Sequence, residues 1–195
     1  MSENELMQWA ALGAGGVVGG GVIFAIARFV KQQNAIWPDA AAKYGLTYSK
    51  KSESIPLGNS RDFDLLDGPS LSVVSMREQI GRTRRRSNVI TARSVTWPSP
   101  ARFDVESTRP AASFHLVTTG DAAFDARRFV TSESKAAVQA VLTPTVRAAL
   151  LQCPQHTLRI TCEGQQVVVS FGELVTDAKE LTGAIDLALA LAKGP

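Results

Sequence analysis

The sharpest change in patterning along the chain comes at its start. From Leu6 to Ala27 the sequence runs 22 residues without a formal charge, and the stretch Trp9 to Ala27 is almost wholly apolar or glycine. At 1.5 Å per residue a helix over those 19 residues reaches about 28 Å, close to the thickness of a bilayer core. Trp9 and Phe29 flank it, and Arg28 and Lys31 follow where long cations can reach headgroups. The pattern predicts a short tail over 1–8 and a transmembrane helix over 9–29. The six glycines within it would penalise a water-exposed helix by up to about 1 kcal/mol each. The tail carries Glu3 and Glu5 and no Lys or Arg, unlike a secretory signal. Ala11, Gly15 and Gly19, with Gly16 and Gly20, recur every four residues and mark a face for helix packing, with a second copy or another membrane helix.

Beyond residue 31 the pattern changes to short alternating runs. Gln32 to Tyr44 reads as a short helix interrupted or restarted by Pro38 and capped by Gly45. LTYSKK and FDLLDG suggest strands, with Gly68-Pro69 as a turn. LSVVSMREQI and NVITARSVTW are rich in Val, Ile and Thr and read as a hairpin joined by the loop Gly81 to Ser87. Trp97 to Ala111 holds Pro98, Pro100 and Pro110 and reads as a linker or an irregular crossing.

Further strands are expected at SFHLVTT and RRFVT, then a helix at KAAVQAVL capped by Ser132. A second helix is expected at TPTVRAALLQ, with Thr143 as cap and Pro144 in the first turn. A hairpin crosses Glu163-Gly164-Gln165, and Asp177 with Glu180 forms a capping-box variant ahead of the last helix. The expected fold class is therefore α+β: a single N-terminal transmembrane helix, then a soluble domain over 31–195 of antiparallel β-hairpins with packed helices. The soluble part reads either as two lobes divided near 98–112 or as one continuous domain.

Charge adds one feature. The net charge is +3, and residues 1–30 hold two Glu and one Arg, so the rest carries +4. Arg82, Arg84, Arg85 and Arg86 concentrate that charge in the hairpin loop, a site for contact with an acidic partner or anionic lipid. No aromatic residue lies between Leu71 and Thr96, so stacking on nucleic acid is not expected. Arg28, Lys31 and Lys43 bias the C-terminal flank of the apolar segment, which predicts an external N-terminus and a cytoplasmic domain.

Catalytic and metal motifs are missing. Asp62, Asp64 and Asp67 miss the spacing of a calcium loop, because Val73 stands where the last acid belongs. Cys153, His156 and Cys162 fall short of a four-ligand zinc set. No phosphate-binding loop, G-x-S-x-G elbow or H-E-x-x-H motif occurs. The sequence predicts no enzyme, catalytic residue, metal or cofactor. It predicts a membrane-tethered cytoplasmic accessory protein that scaffolds a membrane complex, contacting lipid and a protein partner or a second copy of its membrane helix. The alternative is an extracytoplasmic domain that binds lipid or a small ligand, a reading that a Cys153–Cys162 disulfide would favour.

Overall fold

The computed structural model describes residues 35–56, 59–93, 97, 100–110, 115–173, 175 and 177–194. Contacts divide the chain after Ile36, and Trp37–Pro195 form one compact unit. Residues 35–44 are helical (α1), and Pro38 lies inside that helix. Gly45 then turns the chain at φ +66°, which lets the Leu46 amide reach the Ala41 carbonyl at 2.8 Å.

Among the described residues nine strands follow: β1 (Thr47–Ile55), β2 (Asn59–Asp67), β3 (Leu71–Ile80), β4 (Thr83–Arg93), β5 (Ala101–Glu106), β6 (Leu116–Val117), β7 (Phe129–Thr131), β8 (Thr157–Glu163) and β9 (Gln166–Phe171). They form one antiparallel sheet in the order β1-β2-β3-β4-β9-β8-β5-β7-β6. Between them lie α2 (Ala122–Asp125), α3 (Lys135–Val141) and α4 (Pro144–Gln152), and α5 (Ala178–Ala192) ends the fold.

Period-two alternation puts the core on one face of this sheet. Leu66, Val73, Ile90, Val169, Ile160 and Phe103 are directly opposite one another on successive strands, and none is more than 3% exposed. Helix α5 covers this face over β4 and β9 and packs against α4. Its apolar stripe, including Leu181, Ile185 and Leu191, is fully buried. Burying a side chain of that size is worth about 1.5–3 kcal/mol. The opposite positions, such as Leu65, Val74, Val89 and Val168, are only half-buried.

The expected fold class is corrected by this sheet. Instead of separate hairpins under helices, the described residues are mostly one continuous antiparallel sheet with a few helices. Strand β5 is the physical reason. It lies in the stretch read as a linker, and it bridges β8 and β7. No helix among the described residues is long and apolar enough to cross a membrane. The expected span over 9–29 and the packing positions Ala11, Gly15, Gly16, Gly19 and Gly20 lie outside the described residues. A membrane-spanning, single-pass character therefore has no support in the structure.

One buried cation ties the helices to the sheet. Arg128, just before β7, is 8% exposed, and burial lowers its affinity for the proton. Its guanidinium donates to the carbonyls of Leu150 (3.1 Å), Gln155 (2.8 Å) and Cys153. These carbonyls close the C-terminal end of α4, where helix groups lack internal partners. Gln155 extends the network by donating to the Glu180 carbonyl at 2.9 Å in α5. Gly183 lets α5 approach this segment, since a Cβ there would stand 3.1 Å from Pro154 Cδ.

An Arg128→Met substitution keeps the apolar stem but strands three carbonyls. It is expected to cost about 3 kcal/mol in urea denaturation. A loss below about 1 kcal/mol would show that water replaces the guanidinium at no great cost.

Candidate functional site: a basic hairpin tip

Strands β3 and β4 pair without interruption to Ile80↔Thr83, leaving Gly81 and Arg82 as a two-residue turn. Gly81 has φ +58°, which a tight hairpin turn of this kind needs. Its amide donates to the Asn59 side chain at 2.8 Å, so the start of β2 pins the turn. Strand β4 pairs with β9 only from Asn88 onward, so the last turns of the hairpin have no β9 partner.

The expected arginine loop is therefore mostly strand. Arg82 sits in the turn, and Arg84, Arg85 and Arg86 sit in β4. Alternation divides them: Arg84 and Arg86 share the face of buried Asn88, about 7 Å apart, and Arg85 points to the other face. All four are exposed. Arg61, Arg77, Arg102, Arg147 and Arg159 each hold a carboxylate within 3.2 Å. Among the described residues the four tip arginines hold none.

Around them the tip is built from matched charges. On one face Asp64, 5% exposed, accepts from Tyr48 Oη at 2.8 Å and from Arg77 at 2.8 Å. Arg77 is directly opposite Arg86, a like-charge cross-strand pair of the kind that weakens a sheet. On the other face Glu78, 8% exposed, accepts from Arg61 at 2.5 Å and lies opposite Arg85. A cavity of about 220 Å³ at the tip is lined by Asp62, Arg77, Arg84 and Arg86 of the Asp64 face, among others. Partial burial, then the Asp64 hydrogen bond and charge, raise the Tyr48 phenol to about 12.

A larger cleft of about 590 Å³ lies over β5 and β8, lined by Arg102, Asp104, His115, Thr131 and Arg159 among others. The Arg159–Asp104 pair, at 3.0 Å, crosses its floor. Sequence reasoning missed this cleft because it read β5 as a linker. The signal was present as Ala101, Phe103 and Val105 alternating with Arg102, Asp104 and Glu106.

The remaining candidates separate in space or lie buried. Cys153 and Cys162 are free and buried, and no disulfide joins them. Burial pushes their thiols up to about 11 and about 12. Cys153 Sγ donates to Gln155 Oε1 at 2.8 Å, and His156 Nδ1 lies 3.0 Å from Ser107 Oγ. Among the described residues no group of three or more His, Cys, Asp or Glu side chains is arranged to hold a metal.

No protein-family model matches the chain, and no curated protein matches it. Among solved structures it is similar to the crystal structure of the mycobacterial trehalose monomycolate transport factor A, TtfA. The identity is 11% and the TM-score 0.44, with 86% of this chain and 96% of that chain covered. At that distance the likeness implies neither a shared activity nor a shared ligand.

Two outcomes follow from the buried groups. At neutral pH both thiols stay protonated and inaccessible, so a thiol reagent should label them only as urea unfolds the chain; rapid labelling of the native protein would contradict this. The raised phenol makes stability depend on alkaline pH. The contribution is full below about 10, where an unfolded tyrosine titrates, and is lost as pH rises toward about 12. Tyr48→Phe should therefore lose less stability than the parent between pH 9 and pH 11 in denaturant titrations. Equal losses would remove Tyr48 from the alkaline limb.

Proposed function

We propose that the chain is an interaction module, an accessory or scaffolding component that docks through its basic hairpin tip on an acidic protein surface. The observation that carries the reading is a cluster: among the described residues Arg82, Arg84, Arg85 and Arg86 are exposed without carboxylate partners within five positions, whereas Arg93, Arg109 and Arg127, which also have none, are scattered along the chain. Opposed like charges such as Arg77 and Arg86 weaken a sheet locally, and an acidic partner between them would relieve that cost. The two-faced arrangement favours a concave acidic protein surface over a planar anionic bilayer, which would meet the tip from one side only. Guanidinium groups suit carboxylates because their fork donates two parallel hydrogen bonds.

A second reading, binding of a small ligand, rests on the 590 Å³ cleft over β5 and β8. Its volume falls within the range of small-molecule sites. The two readings place the contact on different strands, β3 and β4 for the basic tip and β5 and β8 for the cleft.

The test is the double variant Arg84→Glu, Arg86→Glu, with polyglutamate as the acidic probe and phosphatidylserine vesicles as the planar one. Reversing two exposed charges should weaken polyglutamate binding about tenfold, or roughly 1.4 kcal/mol, and binding of the parent should fall with added salt. The melting temperature should not fall, because the change also removes the Arg77–Arg86 opposition. Unchanged polyglutamate binding would overturn the reading, and tighter binding of the parent to vesicles than to polyglutamate would redirect it to lipid.

A further inference from the structure

The two edges of the sheet are built differently. Strand β6 closes one edge with two residues, whereas β1 forms the other with nine. Strand β1 pairs with β2 residue for residue from Thr47↔Asp67 to Ile55↔Asn59, so it carries no bulge, and it contains no proline. Seven of its nine residues are exposed. Among the described residues nothing pairs with its outer side. Bulges, prolines and shortness are the usual means of closing such an edge, and here only charged side chains remain.

Those charges are self-complementary. When two copies of one strand pair antiparallel about a twofold axis, each register sets one residue opposite itself. Centring on Lys50 or Lys51 opposes two lysines, and centring on Glu53 opposes two glutamates, each of which is destabilising. Centring on Ser52 sets Lys51 opposite the partner's Glu53 and the partner's Lys51 opposite Glu53. It also sets Lys50 against the partner's Ser54 and Ser49 against the partner's Ile55, with no like charges opposed.

We propose that β1 pairs with β1 of a second copy of this chain, antiparallel and centred on Ser52, joining two sheets into one. Main-chain hydrogen bonds supply the attraction, and the two reciprocal Lys51–Glu53 pairs fix the register. An edge contact of this kind falls in the small interface class, so the dimer forms in a concentration-dependent way. The proposal is independent of the basic tip, whose arginines lie on β4 and its turn.

The test uses the full chain with two readouts. In the first, single cysteines are introduced by Ser52→Cys and Ser49→Cys and the proteins are mildly oxidised. Opposed residues of an antiparallel pair have Cα atoms about 4.5–5.5 Å apart, within disulfide reach. Ser52→Cys should become a disulfide-linked dimer at least tenfold faster than Ser49→Cys, against a low background from the buried native thiols. In the second, sedimentation reports the dimer of the parent at about 100 µM. Lys51→Glu should weaken it at least fivefold, and adding Glu53→Lys should restore it. Equal cross-linking of the two cysteine variants, a monomeric parent, or a dimer indifferent to Lys51→Glu would each overturn the proposal.

Discussion

Six strands share one row of side chains, and the rest of the structure depends on that row staying in register. Leu66, Val73, Ile90, Val169, Ile160 and Phe103 meet edge to edge across β2, β3, β4, β9, β8 and β5. A slip of one residue on any strand would turn its buried set to the other face. The next row repeats the constraint with a change of chemistry along it. Val130, Val105, Leu158 and Phe171 are apolar, while Asn88, Ser75 and Asp64 continue the row in polar form, still buried. Asn88 donates to the carbonyls of Phe171 and Glu173, and Asp64 holds Tyr48 and Arg77.

The polar end of that row is where the hairpin tip begins. Register, rather than local charge, decides where each arginine points. Because Asn88 faces the core side, Arg86 and Arg84 must face that way also, and Arg85 must face the other. The buried partners Asp64 and Glu78 neutralise Arg77 and Arg61. Among the described residues the four tip arginines hold no carboxylate, and three of them, Arg84, Arg85 and Arg86, sit on a rigid, paired strand, which suits recognition better than a floppy loop would.

Much of the local structure was legible in the residues. Leu71 to Ile80 is a strand with the expected limits. Thr143 caps α4, with Pro144 in its first turn, and Asp177 and Glu180 form a reciprocal capping box. These signals are short-range and act through hydrogen bonds between neighbours in sequence. What failed was long-range. The prolines around Ala101 to Glu106 masked a six-residue alternation that becomes an interior strand of the sheet. The arginine run looked like a loop because charge was weighed over pairing. Strand β4 overrides that preference, since β3 supplies a partner for every residue as far as Thr83. Ser132 was expected to cap α3, but its hydroxyl instead donates to the Arg102 carbonyl, a contact visible only once β5 is in place.

The central claim is that the basic segment is paired strand with its arginines fixed on two faces. Amide hydrogen exchange resolved by residue tests it most directly. The amides of Thr83 to Ser87 that bond across to β3 should exchange at least a hundredfold more slowly than an unstructured chain, alternating with faster neighbours. Uniform exchange at unstructured-chain rates from Gly81 to Ser87 would contradict the account and return the arginines to a loop.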